Sequence, residues 1–275
     1  MTTTRPLPLT DLPPELARRV RGVFTDIDDT LTSDGAITAD ALAALQRLHE
    51  AGVHVIAITG RPMGWSAPFA KVWPLDAIVA ENGAVALIHR EDRGGDGGEV
   101  RIEYAQDEPT RLRNAHRLAD VARRVLHEVE GSTLARDSAG RVTDIAIDHA
   151  EFTQLPPPRI AQVVELMRAS GMNATVSSIH INGWFGAHTK LSGARWMVER
   201  LYGRALDAEL ERWVYVGDST NDQQMFGHFP LSIGVANLLD FEAQLTTWPR
   251  YLTRHPRGRG FAEVAEALLT VRERG

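Results

Sequence analysis

Three short apolar runs in this chain each stop on a tight knot of polar residues, and no other feature constrains the fold as strongly. Val20 to Ile27 ends in Asp26-Ile27-Asp28-Asp29-Thr30, Val53 to Ile58 in Thr59-Gly60-Arg61-Pro62, and Trp213 to Val216 in Gly217-Asp218-Ser219-Thr220-Asn221-Asp222. Runs of that length bounded by turn residues read as buried strands. Helical patterns lie between them. Thr38 caps a segment with Leu42, Leu45 and Leu48 on one face, closed by Gly52, and a second helix is expected around Trp65 to Val72. Apolar runs at Asp76 to Ala80 and Ala84 to Ile88 flank a turn at Asn82-Gly83. Strands alternating with helices predict an α/β fold: a doubly wound parallel sheet, Rossmann-like, with helices on both faces.

The rhythm then changes. Glu91 to Gly98 is polar and glycine-rich and reads as a hinge or exposed loop. A helix is predicted over 110–129, a half-exposed strand over Val142 to Asp148, a helix from Pro156-Pro157-Pro158 to Ser170, and strands near Asn173 to Ser178 and His180 to Phe185. Ser178, His180, Asn182 and Trp184 alternate and would share one face of the last strand. After Lys190 the doubly wound pattern resumes, with a helix to Tyr202, strands at Trp213, at Leu231 to Val235 and at Tyr251 to Thr253, and a closing helix from Phe261. The expected organisation is a core of residues 1–88 and 187–275 and an inserted α+β cap of residues 89–186.

Composition narrows the partners. The chain of 275 residues, 43% hydrophobic and carrying a net charge of -6, has no basic block interleaved with aromatics, so nucleic acid is not an expected partner. Cysteine is absent, which excludes disulfides, thiolate metal sites and thiol nucleophiles. The ten histidines show no ligand spacing for zinc. The N-terminal stretch lacks the apolar core of a signal peptide, and no run approaches the roughly 18 apolar residues of a membrane span, so a cytoplasmic chain without a membrane partner is expected. Oligomeric state has no signature in the sequence.

Open α/β sheets bind ligands at the carboxyl ends of their strands, which is where the polar knots lie. Asp26, Asp28, Asp218 and Asp222 gathered there would repel one another and raise their own pKa values unless a cation sat among them. An all-oxygen set suits Mg²⁺. Phosphoryl transfer requires an in-line nucleophile, neutralised phosphate oxygens and a proton for the leaving group. Asp26 is the candidate nucleophile and Asp28 the candidate general acid and base. Thr59 and Lys190 are candidates for holding phosphate, and Asp218 and Asp222 for the metal, Asp222 directly or through its water shell. Lys190 and Lys71 are the only lysines among 30 basic residues, which makes Lys190 hard to dismiss as surface charge. Gly60, Arg61, Asn221 and Asn82 are further candidates for contact with phosphate or substrate, against surface or turn roles for Arg61 and Asn82.

Asp26-x-Asp28-x-Thr30, then Thr59, Lys190 and Gly217-Asp218-x-x-Asn221-Asp222 resemble, in order, the four motifs of the haloacid dehalogenase superfamily. Thr59-Gly60-Arg61, and Glu81-Asn82-Gly83-Ala84 before a large insert, are similar to its subfamily IIB, the Cof-type phosphatases with a C2 cap, a group that includes sucrose-phosphate and mannosyl-phosphoglycerate phosphatases. The resemblance implies a phosphatase acting on a small phosphorylated metabolite, such as a sugar phosphate, with Mg²⁺, an aspartyl-phosphate intermediate, the Asp28 carbonyl as a further metal ligand, and a cap that selects substrate. Asp29 departs from the pattern, since these relatives commonly carry glycine there. A phosphomutase, a non-catalytic phospho-ligand-binding protein and a receiver domain are the alternatives, the last disfavoured by the chain's length and motif order.

Overall fold

The structure, a computed structural model, describes residues 5–89 and 99–273. The glycine-rich stretch Glu91 to Gly98 lies outside them. Among the described residues, nine strands form the larger sheet. In spatial order they are Leu7–Pro8, Tyr251–Leu252, Ser232–Gly234, Trp213–Gly217, Gly22–Thr25, His54–Ile58, Ala77–Ala80, Val85–His89 and Val100–Tyr104. The first seven run parallel, and each of the last two pairs antiparallel with the strand before it. The expected α/β fold is therefore present with an antiparallel edge, because the turn at Asn82-Gly83 is too short for a parallel crossover.

Strict alternation along the central strands explains why both faces are covered. Val23, Val55 and Ala57 pack with Leu45, Leu48, Phe261 and Leu268 on one side, while Phe24, Ile56 and Ile58 pack with Met197, Val198 and Phe226 on the other. The helix Ala39–Glu50 starts at the Thr38 cap as expected, but Leu42 is exposed and its buried stripe is Ala41, Ala44, Leu45 and Leu48. The i, i+3, i+4, i+7 set runs through the alanines, which a search for leucines passes over.

The inserted α+β body has its own four-stranded antiparallel sheet, ordered Asn173–Val176, His180–Trp184, Asp144–Asp148 and Thr133–Leu134. The helices Glu108–Glu128 and Pro157–Ala169 cover one face of it through Leu118, Val125, Val163, Met167 and Ile181. The opposite face meets the carboxyl ends of the large sheet. Strand Val100–Tyr104 falls within the span expected for the insert, yet it pairs with Val85–His89 of the large sheet.

Candidate active site

Asp26 follows directly on the central strand Gly22–Thr25, its amide donating to the Val216 carbonyl of the neighbouring strand. One carboxylate oxygen accepts from the Ile27 amide at 2.8 Å, and the other meets Lys190 Nζ at 2.8 Å. Lys190 Nζ also reaches Asp222 at 2.7 Å, so a single ammonium bridges two buried carboxylates. The lysine arrives there because two backbones touch. A Cβ at Gly83 (φ +106°) would lie 2.1 Å from the Thr189 carbonyl oxygen, and Thr189 is the cap of the helix Lys190–Tyr202. Only glycine permits that approach.

Gly217 serves the neighbouring loop similarly: a Cβ there would lie 2.4 Å from Asp222 Oδ2. That oxygen accepts from the amides of Asp218 and Ser219, while Oδ1 accepts from Lys190 and from the Tyr215 hydroxyl. With four donors on it, the Asp222 carboxylate fixes Lys190 and the loop. Asp218 is fully buried and accepts from Thr30 Oγ1 and Asn237 Nδ2, both at 3.2 Å. Ligand atoms of Asp26, Asp218 and Asp222 lie within 4.8 Å of one another, an oxygen-only set that could hold a divalent cation.

Charge in this cluster is unbalanced. Burial pushes the Asp26 carboxyl up to about 7, with Lys190 pulling down and Asp222 and Asp28 adding to the rise. Asp218 is raised well above the ordinary carboxylate range by burial, then by Asp222 and Asp26. Burial works against the charge on Lys190, but Asp222 and Asp26 outweigh it and the lysine stays protonated. One ammonium among three buried carboxylates leaves a deficit that a further cation would fill.

Asp28 projects from the loop toward the inserted body. Arg61 grips it, with Nε at 2.9 and 3.0 Å from its two oxygens. The remaining Arg61 nitrogens reach Asp137 at 3.1 Å and Glu151 at 2.7 Å, and Glu151 in turn meets His180 at 2.8 Å. Arg61, expected to touch substrate, thus has its guanidinium occupied by three carboxylates. Burial raises the Asp28 carboxyl, and Arg61 opposes it. Burial alone would raise Glu151 too, but hydrogen bonds from His180 and Arg61 hold it at about 2.

The alternation read along 178–184 holds. Ser178 lines a cleft beside Asp28, His180 pairs with Glu151, Asn182 donates to the Gly60 carbonyl at 3.2 Å, and Trp184 lines a second cleft. Arg141 donates to the same Gly60 carbonyl at 2.9 Å. Thr59 is fully buried, its Oγ1 accepting from the Arg61 amide. Asn82, Asn221 and Lys190 line the second cleft, so the residues expected around the substrate divide between two spaces.

Several contributors were not foreseen. Asn237 donates to the Asp29 carbonyl at 3.0 Å as well as to Asp218, and Arg257 Nε meets Asp29 at 3.1 Å. Glu81, buried at φ +50°, accepts from the amides of Met63, Val142 and Thr143 and from the Thr143 hydroxyl, fastening the inserted body to the large sheet. Asn237 lies just beyond the strand Ser232–Gly234, where the strand-end rule would have found it. Arg257 carries no such signal.

Residues 23–94 match the family model of haloacid dehalogenase-like hydrolases, a span that includes Asp26, Asp28 and Thr59. Over that span the chain is similar to haloacid dehalogenase-like hydrolases. A phosphoglycolate phosphatase of Methanothermobacter thermautotrophicus is 24% identical over 253 residues, covering 91% of this chain and 99% of the relative. The fold of this chain also resembles the Thermoplasma acidophilum protein 0175, with a TM-score of 0.66, 16% identity, and 91% and 98% of the two chains covered. The sucrose-phosphatase of Synechocystis, solved with sucrose and phosphate, superposes with a TM-score of 0.62 at 17% identity over 91% and 98%. Among the described residues of this chain, no helix is long and apolar enough to cross a membrane.

Proposed function

We propose that this hydrolase cleaves small phosphomonoesters with uncharged, hydroxyl-rich leaving groups, sugar phosphates among them, by way of an aspartyl-phosphate on Asp26. The observation that carries this reading is the Lys190 bridge between Asp26 and Asp222, inside a buried oxygen cluster short of positive charge. The donor set fits Mg²⁺, and Asp26, Asp218 and the Asp28 carbonyl would hold it, with Asp222 fixing their loop. Bound there, Mg²⁺ supplies charge neutralisation between nucleophile and phosphate.

The chain's own residues do the rest. An Asp26 carboxylate oxygen forms a bond to phosphorus as the bond to the leaving oxygen breaks, and Asp28 gives that oxygen its proton. Burial raises the Asp28 carboxyl, in the direction that favours its protonated form, while Arg61 opposes the shift. Asp28 then takes a proton from water as the water oxygen attacks phosphorus and the Asp26–phosphorus bond breaks. Lys190 and Thr59 bind the equatorial oxygens. The inserted body acts as the cap, presenting Ser178, His180 and Asn182 toward the site.

The cleft of about 430 Å³ beside Asp28 supports an uncharged leaving group. Asp28, Asp29, Asp34, Glu151, Asp218 and Asp240 line it, and its two arginines are already paired, Arg61 with Asp28 and Arg257 with Asp29. A carboxylate such as that of phosphoglycolate, the substrate in the relative's name, would meet no spare cation there. Phosphate release from sugar phosphates, phosphoglycolate and nucleotides, with Mg²⁺ and with chelator, tests the reading. Sugar phosphates should be preferred, and Asp26→Asn should lower turnover by at least about 10³-fold with the fold intact. Substantial activity in Asp26→Asn would remove the nucleophile assignment, and a preference for phosphoglycolate would remove the leaving-group assignment.

A further inference from the structure

A second cleft, of about 500 Å³, reaches the site from the Lys190 side. Its lining contains no carboxylate among the described residues, and it includes two cations, the buried Lys190, which is paired with Asp26 and Asp222, and the exposed Arg168. Two of its polar atoms are buried without any partner, the Asn82 amide Nδ2 and the Thr175 hydroxyl. Asn82 is only 2% exposed, and its Nδ2 would lie 3.5 Å from a Cβ placed on Gly60, so this orphaned donor sits beside the loop after the second strand. A buried donor with no acceptor costs stability unless a ligand or water satisfies it.

The two clefts share no lining residue. Asn182 and Arg141 both donate to the Gly60 carbonyl, and Glu81 fastens residues 142–143 beside them. Asp28 lines the acidic cleft and not this one, so a leaving group protonated by Asp28 departs on the acidic side. The remaining product is a phosphate dianion, which the carboxylates of that side repel.

We infer that the Lys190-side cleft is an oxyanion site through which inorganic phosphate leaves, held on its way by Asn82, Thr175 and Arg168. This rests on the proposed phosphatase reading, but its test does not require turnover. Inorganic phosphate is titrated calorimetrically into the full chain with Mg²⁺, and its product-inhibition constant is measured against a sugar phosphate. Arg168→Glu should weaken phosphate binding and inhibition about fivefold, as expected for reversing one charge near a focused anion site. Arg168→Lys should restore both, Thr175→Val should weaken both about twofold, and Asp240→Asn in the other cleft should do neither. KM for the sugar phosphate should stay within twofold in Arg168→Glu. Phosphate affinity unchanged in both Arg168→Glu and Thr175→Val would overturn the inference, as would KM rising in step with the inhibition constant, which would make the cleft a substrate entrance. A chain that binds phosphate in this way but hydrolyses no phosphomonoester would defeat the phosphatase reading and leave the oxyanion site standing.

Discussion

Two spaces approach the Asp26 cluster from opposite sides and differ most in charge. Among the described residues, the Asp28 side is lined by six carboxylates and two paired arginines, whereas the Lys190 side has amides, hydroxyls, the paired Lys190 and the exposed Arg168. The segment 178–184 reaches both, Ser178 lining the first and Trp184 the second, with Asn182 on the Gly60 carbonyl. Shape alone would not separate an alcohol product from an anionic one. Opposite linings do, because each product is drawn into one space and repelled or left unsatisfied by the other.

The largest effect should follow from removing the proposed proton donor on the acidic side. Asp28→Asn is expected to lower kcat by about 10²- to 10⁴-fold, in the range usual for loss of general acid–base catalysis. The loss should be smaller for aryl phosphates, whose leaving groups need no proton. Inorganic phosphate affinity should be unchanged, since Asp28 does not line the Lys190-side cleft. Equal losses for aryl and sugar phosphates, or weakened phosphate binding, would break the division between the two sides.

A smaller, pH-dependent effect is expected where the acidic wall joins the inserted body. Glu151 falls from an ordinary 4.5 to about 2 in the folded chain. A depressed carboxyl contributes stability above its unfolded value and loses it as pH falls toward the folded one. Glu151→Gln should therefore melt a few degrees below the parent near neutral pH, and the gap should close between about pH 4.5 and pH 2. Melting curves across that range would decide it. A gap that persisted at low pH would mean that Glu151 acts by packing, not by charge on Arg61 and His180.

Much of the buried acidic cluster was legible because strand ends are local features. Asp26, Thr59 and Asp218 each follow an apolar run by a residue or two, and the sheet brings them together. The clasp between the bodies was not legible. Arg61 meets Asp137 and Glu151 across 76 and 90 residues, and no periodicity links such positions. Strand Val100–Tyr104 does alternate, with Ile102 between Val100 and Tyr104, but it follows the glycine-rich stretch and reads as part of what comes after. Division of the candidate substrate residues between two clefts was hidden for a similar reason: Arg61 and Asn82 follow neighbouring strands, and only the insert parts them.

Asp29 offers the finest test of the acidic side, because it joins an unusual backbone to an unusual charge. It stands at φ +52°, a left-handed conformation that glycine adopts freely and other residues adopt at a cost of about 1 kcal/mol. Its ion pair with Arg257 at 3.1 Å and the Asn237 bond to its carbonyl at 3.0 Å hold it there. Asp29→Gly relieves the backbone but loses the partly exposed pair and loosens the unfolded chain, so stability should change by less than about 1 kcal/mol. Metal affinity should respond more clearly. Behind burial, Asp222 and Asp26, Asp29 also pushes the Asp218 carboxyl up, a sign that its charge is felt at the oxygen cluster. Removing that charge should weaken Mg²⁺ binding about two- to fivefold, measured by calorimetry without substrate. Asp29→Asn keeps the left-handed tolerance and deletes only the charge. If it matches Asp29→Gly, the aspartate acts through its field; if Asp29→Asn binds Mg²⁺ like the parent, the backbone alone matters, and the negative wall of the acidic cleft stops short of this residue.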